Sequence, residues 1–356
     1  MKKIAIIGTQ GIPAQYGGFE SLAENLVTKQ CAKDIQYTVY CSEKAYKNKL
    51  KQYKQALLEY VNFDANGAQS IVYDILSLIR ATKRNDVVLV LGVSGCCVLP
   101  IYRLFARKKR LLVNIDGLEH RREKWGKWTK KFLKFSEKMA VKYADVIIAD
   151  NKGIQAYVKD EYDKDSELIA YGGNHVLRNV DAQLETNVLK KYVLFPKDYA
   201  ITVCRIEPEN NCHDILEAFS KTNKKMVFIG NWNRSNYGRL LKDKYTKCPN
   251  ISILDPIYDI DILYILRKNA GMYIHGHSAG GTNPSLVEAM FFNSPILCYD
   301  VVYNRETTEQ QAYYWANVDE LVNLLKRTDL SAEAMNIIAH NKYTWETITM
   351  KYEMLY

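Results

Sequence analysis

Apolar residues along this chain follow two alternating rhythms. Short runs dense in Ile, Val and Leu recur at 4–7, 35–41, 58–63, 87–92, 111–115 and 146–149. Each is too short for a helix and rich in β-branched side chains, which is how strands buried on both faces read. Between them, as at 70–83, apolar positions return every three or four residues, the spacing of an amphipathic helix. A strand-like run at 167–170 leads into Tyr171-Gly172-Gly173-Asn174-His175, and a polar stretch of little periodicity follows to about Pro196. The alternation then restarts at 200–204, 226–230, 251–254, 272–275 and 296–299, with helical spacing at 214–222 and 259–268. Strand and helix in regular alternation predict parallel sheets covered on both faces, so the expected fold class is α/β with two doubly wound domains. The expected boundaries are 1–175 for the first domain, 176–196 for a linker and 197–340 for the second. In such sheets ligands bind at the carboxyl ends of the strands.

The first unit opens IAIIGTQGIPAQYGGFESLAENLV, a strand, a Gly-rich loop and a helix. Gly17 and Gly18 stand at the helix entry, where backbone N–H groups can approach an anion that the helix N-terminus also favours. The loop Gly8-Thr9-Gln10-Gly11-Ile12-Pro13 does not make G-x-G-x-x-G, which argues against a nicotinamide cofactor.

The densest chemistry lies in HGHSAGGTNPSLVEAMFFNSPILCYD, residues 275–300. Gly280 and Gly281 follow a strand. Asn283 precedes Pro284, is pushed out of the α region and can cap a helix whose first residue is the proline. The N–H groups of Ser285 and Leu286, with the Thr282 and Ser285 hydroxyls, are then an anion site, and Glu288 lies one turn further on. Phosphate binding beside an acid that accepts two hydroxyl hydrogen bonds suits a nucleoside diphosphate and its ribose. A capped helix carrying a surface glutamate fits the same letters.

Charge changes the picture in one place. The chain of 356 residues carries a net charge of +9, yet residues 101–144 alone hold fourteen Lys/Arg against four acids. Within this segment Trp128, Phe132, Phe135, Met139 and Tyr143 form one helical stripe, and Lys127, Lys131, Lys134, Lys138 and Lys142 form another beside it. A basic amphipathic helix of this kind suits an anionic membrane surface. It also reads as a helix packed through its apolar stripe, with solvated lysines. No nucleic-acid recognition motif accompanies the charge. The apolar start is too short for a signal peptide and no run reaches the length of a membrane span, so the expected location is cytoplasmic, peripheral on the inner face of the membrane. The eight cysteines contain no C-x-x-C pair, and His275 and His277 lack partner ligands nearby, so no metal is expected.

The 275–300 stretch, together with VCRIEPENN (203–211) and GIPAQYGGFE, resembles the retaining family-4-type glycosyltransferases of GT-B fold. The likeness is to the rhamnosyltransferase subgroup of capsule, O-antigen and cell-wall polysaccharide synthesis. It extends to VNIDGLEHRREKW and the closing YTWETITMKYEML. It implies two Rossmann-like domains facing across a cleft, with a last helix (341–356) returning to the first. It further implies a nucleoside-diphosphate sugar donor, namely dTDP-rhamnose, a polyprenyl-diphosphate-linked saccharide acceptor, and no cofactor. Of the family's donor-site carboxylate pair, Glu288 matches the ribose-binding second member and Gly280 occupies the place of the first, so backbone groups of Gly280, Gly281 and Thr282 would meet the sugar. Of its diphosphate-binding Arg and Lys, Arg205 matches the first and Asn210 replaces the second. Asp116 aligns with the family's histidine near the sugar. The Gly17–Gly18 loop would approach phosphates from the first domain. A nucleotide-sugar epimerase of the same build and a non-catalytic nucleotide-sugar-binding subunit remain as alternatives.

Overall fold

The structure is a computed structural model and describes every residue except Tyr16, Ala68, Asp116, Glu123 and Lys124. It divides into two compact units, Met1–Tyr171 with Trp345–Tyr356, and Gly172–Thr344.

The first unit runs β1 (Lys2–Ile7), α1 (Gly18–Thr28), β2 (Ile35–Ser42), β3 (Gln52–Tyr53), β4 (Ala56–Val61), α2 (Gln69–Arg84), β5 (Val87–Leu91), α3 (Leu99–Phe105), β6 (Arg110–Asn114), α4 (Lys127–Tyr143), β7 (Val146–Ala149), α5 (Lys152–Tyr162) and β8 (Glu167–Leu168). Its sheet has the order β3-β4-β2-β1-β5-β6-β7-β8, parallel except for the β3–β4 pair. β1 is central, with Ile4 opposite Tyr37 on one side and Val87 on the other. Ile4, Ala5 and Ile6 are accordingly sealed from solvent, as the unbroken apolar run requires.

The second unit contains α6 (Ala182–Lys191), β9 (Tyr199–Val203), α7 (Cys212–Ser220), β10 (Lys225–Ile229), α8 (Asn236–Tyr245), β11 (Ile251–Leu254), α9 (Ile260–Lys268), β12 (Met272–His275), α10 (Pro284–Met290), β13 (Ile296–Tyr299), α11 (Val302–Thr307), β14 (Tyr313–Trp315), α12 (Val318–Lys326) and α13 (Glu333–Lys342). Its parallel sheet has the order β11-β10-β9-β12-β13-β14. A final helix, α14 (Trp345–Leu355), follows in the chain but belongs to the first unit. Trp345, Ile348 and Tyr352 enter that unit's core. Asn114 Nδ2 donates to the Tyr352 hydroxyl at 2.8 Å, and Lys2 Nζ to the carbonyl of Tyr356 at 2.6 Å.

Two readings of the sequence need correction. The stretch expected as a linker, 176–196, holds α6, capped by Asp181, whose carboxylate accepts from Gln183 N. Glu185 of α6 takes hydrogen bonds from Lys268 Nζ and Asn269 Nδ2, each at 2.7 Å. Val188 is its one fully buried side chain, so hydrophobic periodicity could not mark it. On α4, the stripe from Trp128 to Tyr143 is not the packing face: Leu133, Ser136, Glu137, Ala140 and Val141 are buried. Lys134 is no solvated lysine either. It lies 2.9 Å from Glu161 and 3.4 Å from Glu137, and bonds the Tyr157 hydroxyl. The glutamate at its centre is ionised despite burial: His120, Tyr157 and Tyr162 hydrogen-bond it and hold its pKa at about 2.

Candidate active site

In the second sheet the chain leaves β9 toward β10 and β11 on one side, then returns to β12 on the other, so the strand order reverses between β9 and β12. That switch point is where doubly wound sheets open a crevice. The loops that follow these two strands carry Arg205 and the 276–283 segment, and they are tied together. Asn211 Nδ2 donates to the Gly276 carbonyl at 2.8 Å, and Ser278 donates to the Glu209 carbonyl through both its N–H and its hydroxyl at 2.9 Å. A Cβ at Gly276 would stand 2.2 Å from the Asn210 carbonyl oxygen. Glycine there is what lets the two loops approach so closely.

Arg205 is half-buried, and its guanidinium has no ion pair among the described residues; Glu207, its sequence neighbour, does not pair with it. Its main chain is braced: Asn210 Nδ2 donates to the Arg205 carbonyl at 2.7 Å. The Asn210 oxygen meets His277 Nδ1 at 2.7 Å, and Asn210 is itself buried. Asn210 therefore does not stand in for a lysine by offering a donor outward; its carboxamide fixes the shape of the loop that presents Arg205.

Helix α10 begins as its sequence requires, with Asn283 as cap and Pro284 in the first turn. Its backbone donors, however, are spoken for. Ser285 N–H donates to Asn283 Oδ1 at 2.9 Å and Leu286 N–H to the Asn283 carbonyl at 3.0 Å, so the pair read as a free anion site is satisfied by the cap itself. Gly280 takes a φ of +86°, and Gly281 and Thr282 are buried in the turn before the cap.

Glu288, one turn into α10, is held by two residues that sequence reasoning missed. Arg267 of α9 places Nη2 2.7 Å from Glu288 Oε2, and His175 Nε2 lies 3.4 Å from Oε1. The glutamate side chain is 18 % exposed and that of Arg267 3 %. Burial alone would raise the carboxyl's pKa; Arg267 and His175 outweigh it and bring it to about 2. A carboxylate ionised at neutral pH, with lone pairs to spare, accepts hydroxyl hydrogen bonds. In the sequence, Arg267 is simply a basic residue in the last turn of a helix and His175 part of a turn, so no local signal marks either one.

In the first unit Gly17 and Gly18 stand at the entry of α1, Gly17 as its cap with φ +122°. A Cβ at Gly17 would lie 2.0 Å from Glu20 Oε2. Glu20 folds back over this turn and takes hydrogen bonds from the Thr9 hydroxyl at 3.0 Å and Gln10 N–H at 2.8 Å. The requirement for glycine at 17 is thus met within the fold, by a carboxylate of the chain's own. Asp116 lies outside the described residues.

Comparison with known proteins adds to this geometry. Residues 189–336, which include Arg205, Arg267 and Glu288, match the family described as glycosyl transferases group 1. Residues 1–174 match a domain of unknown function, DUF1972. No curated protein sequence matches the chain. Among solved structures, the chain is similar to a sucrose-phosphate synthase from Thermosynechococcus elongatus, at TM-score 0.83 and 14 % identity over 100 % of this chain and 98 % of that one. It is similar also to Anabaena HepE crystallised with UDP-glucose, at TM-score 0.75 and 14 % identity over 100 % and 99 %. A third is S. aureus MnaA with UDP, at TM-score 0.64 and 16 % identity over 99 % and 97 %. The chain thus has the GT-B fold of these structures, with two Rossmann-like sheets.

Proposed function

We propose that the chain is a retaining hexosyltransferase that moves a sugar from a nucleoside diphosphate to a lipid-linked saccharide. The observation that carries this reading is the ionised Glu288, locked by Arg267 and His175, in a segment that matches the group 1 glycosyltransferases and whose β9 loop presents Arg205, without an ion pair among the described residues. A planar guanidinium grips a diphosphate bidentately, and the carboxylate accepts from the ribose hydroxyls. Solved structures of similar fold with bound UDP and UDP-glucose agree with a nucleotide-sugar donor. Rhamnose as the sugar, a polyprenyl-diphosphate-linked acceptor and a place in surface polysaccharide synthesis rest on the sequence resemblance. In a front-face route the departing phosphate takes the acceptor hydroxyl's proton, so the chain need not supply a base and no metal is required. Asp116 stabilises positive charge developing at the anomeric carbon.

A panel of nucleotide sugars, dTDP-rhamnose and UDP-glucose among them, read by thermal shift and titration calorimetry, tests the reading. One donor should stabilise the protein, and Arg205→Ala should weaken its binding roughly ten- to a hundredfold, the cost of a lost hydrogen bond to a charged group. Absence of binding by every donor would overturn the proposal. With the donor known, Asp116→Asn should lower kcat while leaving donor KM little altered; a raised KM at constant kcat would make Asp116 a binding residue instead.

A further inference from the structure

Helices α3 and α4 pack against each other in the first unit, and each exposes large apolar side chains to water. On α3, Ile101, Leu104 and Phe105 are 62, 63 and 86 % exposed, at the i, i+3, i+4 spacing of a single stripe. On α4, Trp128 and Phe135 are 84 and 50 % exposed, on a stripe they share with Lys131, Lys138 and Lys142. Scattered exposed apolar residues need no explanation; a cluster on adjoining helices does. The cations beside these side chains lack carboxylate partners among the described residues. Arg107, Lys108, Lys127, Lys131, Lys138 and Lys142 are exposed, and none has an ion pair among the described residues, where the acids of this region are engaged elsewhere. Glu119 pairs with Arg122 at 2.7 Å, Asp145 with Arg103 at 2.8 Å, and Glu137 is buried under His120, Lys134 and two tyrosines. Lys131 Nζ stands 5.4 Å from the centre of the Trp128 ring, leaving the lysine beside the indole rather than beside a carboxylate.

This composition discriminates between occupants. Protein interfaces deplete lysine from their apolar core, whereas here lysine and arginine interleave with Trp, Phe, Leu and Ile. Aromatic and aliphatic side chains among snorkelling cations are the make-up of a helix lying in a lipid headgroup layer. We propose that the α3–α4 face docks on an anionic bilayer, with Ile101, Leu104, Phe105 and Trp128 entering the headgroup–acyl boundary and the six cations meeting lipid headgroups. Lys134 takes no part, since it is consumed by Glu137 and Glu161. The surface does not depend on the sugar-nucleotide site, so either proposal can fail alone.

The test uses the full chain with phosphatidylcholine vesicles, plain or doped with phosphatidylglycerol, in which part of the lipid is brominated. Wild type should sediment with doped vesicles at low salt, and its tryptophan fluorescence should be quenched. Raising salt shortens the Debye length from about 10 Å at 0.1 M to about 3 Å at 1 M and should weaken binding. Lys131→Gln, Lys138→Gln and Lys142→Gln together should lower partition about fivefold per lysine, roughly a hundredfold in all. Ile101→Ser, Leu104→Ser and Phe105→Ser together should lower it roughly tenfold or more at either salt concentration. Trp128→Phe should still bind but lose most of the quenching. All these side chains are exposed, and a circular-dichroism melt confirms the fold of each variant. Wild type that stays in the supernatant, binding like wild type by either triple variant, or quenching that survives Trp128→Phe would overturn the proposal. So would apolar variants that change only self-association in sedimentation equilibrium.

Discussion

Glu288 stays charged because Arg267 and His175 outweigh its partial burial. Its pKa of about 2 lies below the ordinary value of 4.5, so the ion pair adds stability above about pH 4.5, and that contribution is lost as pH falls toward 2. The same pairing makes Glu288→Gln a double lesion. Arg267 is 4 % exposed, and a buried charge deprived of its partner costs about 3–5 kcal/mol. Glu288→Gln should therefore lower Tm as well as donor affinity. Adding Arg267→Met to it should restore most of the Tm, since a buried pair can be exchanged for apolar groups at little cost, but not the affinity. Paired differential scanning calorimetry and donor titration separate the two effects. A single variant that melts like wild type would show that the pair has no structural role. Arg205 is the contrasting case: with no ion pair among the described residues to break, its removal should leave Tm unchanged.

At the scale of elements, β12 delivers the 276–283 loop and ends on a residue with its own pH dependence. His275 is 3 % exposed, stacks on Tyr273, and its Nε2 has no hydrogen-bond partner among the described residues. Burial pushes its pKa down to about 3 from 6.5. The unfolded chain therefore binds a proton that the folded chain refuses, so stability is intact above pH 6.5 and declines below it, by about 1.4 kcal/mol per pH unit until pH nears 3. His275→Gln should flatten the change in urea-unfolding free energy between about pH 6.5 and 5; equal slopes in the two proteins would assign the acid sensitivity to other groups. The strand itself was legible from its apolar run, as were the cap and start of α10. Other elements were not. β3 and β14 are two and three residues long, too short to show a period, and α6 is held largely through Glu185 at its surface.

At the scale of the molecule, the first unit is completed by the last helix. Trp345 is 1 % exposed in a core with Leu26, Val39 and Tyr352. Truncating a large buried aromatic costs about 3–5 kcal/mol, a large share of typical domain stability. Trp345→Ala should speed hydrogen exchange in β1 and β2, distant in sequence, and leave β9 and β10 protected. Equal acceleration in both units, or none in β1, would contradict the assignment of α14 to the first unit's core. Among the described residues no helix is long and apolar enough to cross a membrane.

Sequence alone determined the two parallel sheets, because strands buried on both faces must be apolar throughout and their runs are visible without knowledge of partners. It also determined the Asn283–Pro284 helix start, since capping and proline geometry are local, and it singled out Arg205 and Glu288 through motif likeness. Tertiary structure alone decided what those residues touch. Arg267 reaches Glu288 from another helix and His175 from the turn that opens the second unit, Asn210 spends its carboxamide on Arg205 and His277, and Glu20 closes on Gly17. The face of α4 that is buried was likewise beyond the sequence. Trp128 and Phe135 are as apolar as Leu133 and Val141, and only the packing of neighbouring elements determines which stripe is covered and which is left to water.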